Sequence, residues 1–99
     1  MTKNHYLLEK YKGAIPLLPN GDNDKYTDLY FYLIQASLFA DQKSGITRSE
    51  LTKLMNTSAN TTSKRLDSID KKLLIINKQD KAFCYRLNLD EFNRIILDQ

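Results

Sequence analysis

The sequence contains one cysteine and one histidine, and this scarcity excludes several kinds of site. Cys84 has no second cysteine with which to form a disulfide bond within the chain. Cys84 and His5 together cannot complete a metal site, which needs further ligands such as carboxylates or groups from a second chain. We therefore expect packing alone to hold the fold together, with no metal and no cofactor.

Long hydrophobic runs are also missing. The first five residues lead into no long apolar stretch, whereas a secretory signal needs roughly 7 to 15 apolar residues in a row. A charged fraction of 27% and a mean hydropathy of −0.51 are typical of a soluble globular protein. We expect a cytoplasmic protein that does not bind membranes.

Motifs that activate a substrate are absent from the sequence. It has no glycine-rich phosphate loop, no second histidine and no nucleophile motif, and the carboxylates of Glu50, Asp67 and Asp70 are scattered. We therefore predict no catalytic residue. The protein is not expected to be an enzyme, although it could be a non-catalytic subunit of an enzyme complex.

Positive charge is concentrated in the middle of the chain. Residues 1–41 contain four Lys and Arg against five Asp and Glu, residues 42–86 contain ten against four, and residues 87–99 contain one against three. The three segments therefore carry net charges of −1, +6 and −2, which sum to the overall +3. A basic centre indicates an anionic partner, most commonly nucleic acid, although a solvated lysine-rich face is the alternative.

With 99 residues the chain is long enough for one hydrophobic core only. We predict one domain with an N-terminal arm before it. Turn-forming residues divide the arm, residues 1–23, from a domain at residues 24–99; they are Gly13, Pro16, Pro19 and the polar cluster 20–24. In the arm, the spacing of Tyr6, Leu7, Leu8 and Tyr11 predicts a short helix. Residues 15–19 are predicted to be extended, because a residue before proline avoids the helical region.

Apolar periodicity predicts a central first helix over residues 25–40, with Asp24 as its N-cap. The polar stretch 41–45 would end it. Its inward face is formed by Tyr26, Leu29, Tyr30, Leu33, Ile34, Ser37 and Leu38.

Two further helices are predicted around a short polar turn at residues 56–58. Thr47 and Glu50 fit a capping box, so the second helix begins at Thr47, with a buried stripe of Leu51, Leu54 and Met55. The third helix covers residues 59–73, with Thr62, Leu66, Ile69 and Leu73 inward. Its outer face then carries Thr61, Lys64, Arg65, Ser68 and Lys72.

The end of the sequence predicts a β-hairpin and a last helix. Residues 74–78 and 82–87 are rich in β-branched and aromatic side chains, and the polar residues 79–81 join them. An amphipathic helix follows from Asp90, with Phe92, Ile95 and Ile96 on one side. The predicted fold class is α+β and mostly helical, with three helices, a hairpin, an N-terminal arm and a C-terminal helix.

The stretch ITRSELTKLMNTSANTTSKRLDSIDKKLLI, residues 46–75, resembles the winged helix-turn-helix DNA-binding domains. Glu50 and Leu51 stand in the second helix, residues 56–58 at the turn, and Leu66 and Ile69 in the core. The resemblance implies that residues 61–66 begin the recognition helix, with Lys64 where the family often has a DNA-contacting arginine.

Together with the upstream IPLLPNGDNDKYTDLYFYLIQASLF, the chain is most similar to the winged-helix domains of replication-initiation and primosomal proteins of Gram-positive plasmids and mobile elements. That resemblance implies an accessory protein for DNA replication or maintenance, acting with a polymerase, primase or helicase. The alternative is a dimeric winged-helix transcription repressor, which would dimerise through the C-terminal helix.

Two sets of residues are predicted to bind partners. The DNA-binding set is Thr61, Lys64, Arg65, Ser68, Lys72, Lys78, Lys81 and Arg86, with single- and double-stranded DNA both left open. The set for a protein partner is Tyr6, Leu7, Tyr11, Ile15, Leu17, Leu18, Phe92 and Ile96. For the N-terminal members, packing within the chain itself is the alternative.

Overall fold

Five α-helices and three short strands follow one another along residues 3–39, 45–79 and 81–98, the part of the chain that this structure, a computed structural model, describes. The helices are α1 (Lys3–Ala14), α2 (Asp24–Leu38), α3 (Arg48–Leu54), α4 (Ala59–Asp67) and α5 (Leu89–Leu97). The strands are β1 (Ile46–Thr47), β2 (Leu74–Gln79) and β3 (Ala82–Leu87). The prediction of a mostly helical α+β fold is confirmed.

Helix α2 lies at the centre of the core. Its buried residues are Leu29, Tyr30, Leu33 and Ile34, as its apolar periodicity predicts. The predicted N-cap, Asp24, is wrong by one residue: Asn23 is the cap, and its side-chain oxygen accepts a hydrogen bond from Lys25 N at 3.0 Å. Asn23 takes the extended backbone conformation that a cap needs, whereas Asp24 is already helical.

The N-terminal segment differs from its prediction in two ways. Helix α1 continues through Gly13, and a 3₁₀ helix at Ile15–Leu17 replaces the predicted extended stretch. Proline is compatible with a first helical turn, so Pro16 is accommodated as the second residue of this turn. Leu18, which precedes Pro19, is extended as expected. The turn buries Ile15 and Leu18 against the core.

Helices α3 and α4 lie on either side of a turn, and the capping box at α3 is confirmed. Glu50 N donates to Thr47 Oγ1 at 3.1 Å, and Thr47 N donates to the Glu50 carboxylate at 3.3 Å. Thr47 is therefore the cap, and the helix itself begins at Arg48. In the turn, Asn56 has φ of +52°, a left-handed conformation that asparagine tolerates better than most residues.

The third predicted helix is too long. Helix α4 ends at Asp67 and not at residue 73, because Ser68 caps it and two turns replace the remaining helix. Ile69 N donates to Leu66 O and Leu73 N to Asp70 O, at 3.2 and 2.9 Å. Ile69 and Leu73 are buried as predicted, but they reach the core from these turns. Ser68 and Lys72 therefore do not continue the outer face of the helix.

The three strands form an antiparallel sheet in the order β1-β3-β2. The predicted hairpin is confirmed, with β2 one residue longer, and Asp80 of its turn lies outside the described residues. Strand β1 was not predicted. It is only two residues long and pairs Ile46 with Tyr85 and Thr47 with Cys84. Gly45 precedes it at φ of +103°, where an added Cβ would lie 2.3 Å from Tyr85 O.

Helix α5 begins at Leu89, one residue before the prediction, and Asn88 caps it. Phe92 is fully buried, and Ile95 and Ile96 pack against the same core. Hydrogen bonds from the Arg94 guanidinium lower the pKa of Glu91 on the outer side.

The predicted end of α2 and the break after it lie partly outside the described residues. Helix α2 ends at Leu38, with Phe39 as its C-cap, and both residue 40 and most of the predicted break at 41–45 lie outside the described residues. Among the helices of the described ranges, none combines the length and apolar character needed to cross a membrane.

Candidate nucleic-acid interface

Helix α4 is held in place by hydroxyl groups. Ser58 caps it by accepting a hydrogen bond from Thr61 N at 3.1 Å. The buried Thr62 accepts a hydrogen bond from Thr52 of α3 at 2.8 Å and donates to Ser58 O at 3.1 Å. A buried hydroxyl with its partners satisfied favours one arrangement of the two helices. The outer side of α4 is thereby held in a fixed orientation.

The four predicted DNA-binding residues at α4 are not equivalent. Lys64 is exposed, whereas Thr61 and Arg65 are half-buried. Arg65 reaches back over the turn, with a guanidinium nitrogen 4.0 Å from Met55 Sδ. The Ser68 hydroxyl lies 2.6 Å from the Tyr26 hydroxyl and donates to Arg65 O. Ser68 thus connects α4 to α2, and Lys64 is the open cation of the four.

The hairpin places its predicted residues on two different faces. Lys78 pairs with Phe83 across the strands, and its Nζ lies 5.9 Å from the centre of the Phe83 ring. Arg86 pairs with Ile75, and since side chains alternate along a strand, it points to the opposite face. The Arg86 side chain is half-buried, and its Nε is buried without a hydrogen-bond partner among the described residues.

Lys72 and Lys81 lie at opposite ends of the hairpin. Lys72 is in the turn before β2, where its carbonyl accepts a hydrogen bond from the Asn88 side chain at 3.1 Å. Lys81 lies at the tip. The structure therefore brings Lys81 and Lys78 to the end of the hairpin and leaves Lys72 and Arg86 elsewhere.

A groove of about 730 Å³ separates α3 and the start of α4 from the hairpin tip. Its lining includes three cationic side chains and two aromatic rings. The other lining side chains are small: four from α3, its N-cap and the start of α4, and Ala82 from the hairpin. The lining consists of Thr47, Arg48, Ser49, Thr52, Lys53, Ala59, Lys81, Ala82, Phe83 and Tyr85. No carboxylate is among these lining residues of the described chain. The groove therefore suits an anion along its length.

Arg48 is held at the edge of this groove by a side chain of α4. One guanidinium nitrogen donates to Ser63 Oγ at 2.9 Å. Lys64 follows Ser63 on the exposed side of the same helix. The Arg48–Ser63 bond thus connects the edge of the groove to α4, the helix whose exposed side carries Lys64.

Most of the groove was not predicted from the sequence. Of its lining, only Lys81 belongs to the predicted DNA-binding set. Arg48 and Lys53 contribute to the positive charge of residues 42–86, but the predicted second helix was assigned only its apolar stripe and no binding residue. The only sequence feature that could have indicated Phe83 was its apolar character, which is equally typical of a core residue.

The residues predicted to bind a protein partner are mostly internal. Tyr11, Ile15, Leu18 and Phe92 are buried in the core of the chain. The Tyr11 ring lies 5.1 Å from that of Phe92, and its hydroxyl donates to Asn93 at 2.9 Å. Leu7 and Ile96 are half-buried against the same core. Tyr6 and Leu17 remain exposed, by 64% and 40%.

Groups that could hold a metal were searched over residues 3–39, 45–79 and 81–98, and no cluster of three or more His, Cys, Asp or Glu occurs there. The chain matches no protein-family model, no curated protein and no solved structure.

Proposed function

We propose that this chain is a small nucleic-acid-binding protein of the winged helix-turn-helix class. The order of the elements supports this assignment: a helix, a short strand, two helices around a turn, and a hairpin whose second strand pairs with that short strand. In this proposal α4 is the recognition helix and the β2–β3 hairpin is the wing.

One observation carries the proposal: the three cations Arg48, Lys53 and Lys81 line a groove that contains no carboxylate among its described lining residues. Phosphates are the anions that repeat along such a surface, and lysine and arginine bind them without reading sequence. Lys64 and Lys78 extend the basic surface on either side. Thr61 and Arg65 flank Lys64, and Ser68, Lys72 and Arg86 contribute less in this arrangement.

The salt dependence of binding tests this proposal. The triple variant Lys53→Ala, Lys64→Ala and Lys81→Ala removes up to three phosphate contacts. The magnitude of the slope of the logarithm of the binding constant against the logarithm of salt concentration should then fall by about 0.9 for each lost contact with the duplex and by about 0.7 with the single strand. Fluorescence anisotropy of a labelled 30-mer, as a single strand and as a duplex, measures this slope.

The control is Lys10→Ala, which removes one lysine charge from α1, a helix with no described residue in the groove. Its slope should equal that of the natural chain. A triple variant with the affinity and slope of Lys10→Ala would show that the basic surface does not bind nucleic acid.

We further propose that the protein is an accessory factor in DNA replication or maintenance of a mobile element, acting with a polymerase, primase or helicase. The resemblance to replication-initiation and primosomal domains supports this role. The C-terminal helix also favours it over a dimeric repressor, because the Phe92, Ile95 and Ile96 face that would dimerise already packs on the core.

Sequence preference distinguishes the two roles. An accessory factor should bind unrelated 30-mers with dissociation constants that agree within about threefold. A repressor binds its operator roughly 10³-fold or more tightly than other DNA. Selection of a preferred duplex of that strength from a random pool would overturn the accessory role.

A further inference from the structure

The hairpin presents an aromatic ring to solvent at the groove. Phe83 is 52% exposed although it is one of the largest apolar side chains of the protein. Strand alternation places it on the same face of β3 as Tyr85, and both line the groove. Lys78 stands opposite Phe83 on β2, with its ammonium group near the ring. The exposed part of the ring contributes nothing to the core and is open to a ligand.

The remainder of the groove has the chemistry of a phosphate path. Arg48 and Lys53 come from α3 and Lys81 from the hairpin tip, so the cations lie on both walls. The Ser49 hydroxyl adds a hydrogen-bonding group to the lining, whereas the Thr52 hydroxyl already donates to Thr62. Cationic walls beside an open aromatic ring are the combination by which proteins bind a single strand, since unpaired bases offer a face for stacking.

A duplex does not use this combination. Its bases are stacked on one another, and only their edges are accessible in the grooves. The Phe83 ring would therefore add little to duplex binding, which would depend on the cations and on α4. The ring gives the groove a means of preferring unpaired DNA.

Building on the proposed function, we propose that the groove between α3 and the hairpin binds single-stranded DNA, with phosphates along Arg48, Lys53 and Lys81 and a base stacked on Phe83. Tyr85 lies deeper on the same face and forms the floor. Duplex binding by α4 would then be the weaker mode.

Substitution of Phe83 separates stacking from charge. Phe83→Leu keeps an apolar side chain and loses the ring, and it should weaken binding of a labelled dT20 strand about fivefold or more, with duplex binding unchanged within twofold. Phe83→Tyr keeps the ring and should bind dT20 within twofold of the natural chain. The matched control is Ile76→Ala: Ile76 is 53% exposed on the same hairpin face but lies in a neighbouring groove of about 340 Å³.

A fluorescence measurement reports the contact directly. The sequence contains no tryptophan, so Phe83→Trp introduces a single reporter. Its emission should be quenched by dT20 at concentrations that match the anisotropy titration, whereas Ile76→Trp should change little. Thermal unfolding of each variant checks that the fold is retained, which the exposure of both positions favours.

The outcomes distinguish this inference from the proposed function. If Phe83→Leu binds dT20 as well as Ile76→Ala does, the stacking site is overturned, while loss of binding in the triple lysine variant would still support the proposed function. If the natural chain binds neither dT20 nor duplex, both fail. Tighter binding of rU20 than of dT20 would overturn the assignment to DNA.

Discussion

Hydroxyl groups of side chains connect segments that are distant in the sequence. The Tyr30 hydroxyl donates to Pro19 O at 2.7 Å, which ties α2 to the segment that follows the 3₁₀ helix. Ser37 accepts a hydrogen bond from Leu87 N at 2.9 Å and thereby ties α2 to the end of β3. Such bonds each contribute about 1 kcal/mol, and losing one partner leaves a buried group unsatisfied. These directional bonds fix the position of α2 relative to the two segments more narrowly than apolar contacts alone would.

Tyr30 provides a test with a pH dependence. Burial, and then the neighbouring Tyr26 and Asp70, raise its pKa from 10.0 to about 12. The fold therefore favours the neutral phenol. The raised pKa of Tyr30 stabilises the fold fully below pH 10. This stabilisation, at most about 2–3 kcal/mol of unfolding free energy, is lost as the pH rises toward 12.

Tyr30→Phe should lower the free energy of unfolding at pH 7 by about 1 kcal/mol, because Pro19 O loses its donor. Between pH 10 and 12 the natural chain should lose stability faster than the variant, so the difference shrinks or reverses. Urea unfolding across this range measures it. Tyr6→Phe, at a 64% exposed position, is the control and should follow the natural chain. Parallel pH profiles for Tyr30→Phe and the natural chain would contradict the account.

Helix α3 depends on its cap because it has only seven residues. A helix of this length is not stable from propensity alone, so its first turn needs the hydrogen bonds of Thr47 and Glu50. The capping box also directs the Glu50 carboxylate to the start of the helix, where negative charge is favourable. The carboxylate nearest to Arg48 in the sequence is thereby engaged in capping.

Thr47→Ala should lower the free energy of unfolding by about 1 kcal/mol, since the hydroxyl that accepts from Glu50 N and donates to the Glu50 carboxylate is lost. Thr47→Ser keeps the hydroxyl and should lose less than half as much. Urea denaturation at pH 7 compares the three proteins. An equal loss in both variants would assign the effect to the threonine methyl group and not to the cap.

Helices from both the N-terminal and the C-terminal part of the chain, α1 and α5, contribute to the core. Tyr11 of α1 and Phe92 of α5 are in ring contact, and both lie in the cluster around α2. Ile15 and Leu18 join the same cluster. The N-terminal segment is therefore part of what stabilises the fold, and Tyr6 and Leu17 are the large apolar side chains that remain exposed among its described residues.

Tyr11→Ala should lower the free energy of unfolding by about 3 kcal/mol or more, because it removes a buried ring and the bond to Asn93. The control Tyr6→Ala should change it by no more than about 0.5 kcal/mol. Thermal and urea unfolding measure both. If the two variants were equally stable, α1 would not contribute to the core.

Local signals in the sequence were sufficient for much of the fold. The apolar period of α2, the capping box of α3 and the two strands of the hairpin each depend on residues within a few positions of one another. The exposure of Lys64 followed from the same helical spacing. These features could be predicted because neighbouring residues alone determine them.

Longer-range contacts decided the rest. The apolar spacing over residues 62–73 fits a continuous helix. Turns in which Asp70 O accepts from Leu73 N, and Lys72 O from the Asn88 side chain, bury Ile69 and Leu73 equally well. Strand β1 has no local signal, since it exists only through its pairing with β3.

The groove depends on tertiary structure for the same reason. Arg48 and Phe83 are 35 positions apart in the sequence, and the pairing of β1 with β3 brings their elements together. Residue types and local periodicity determined which elements form and where positive charge is concentrated. The packing of those elements determined which cations share a surface and left one aromatic ring open beside them, because both are properties of contacts between distant segments.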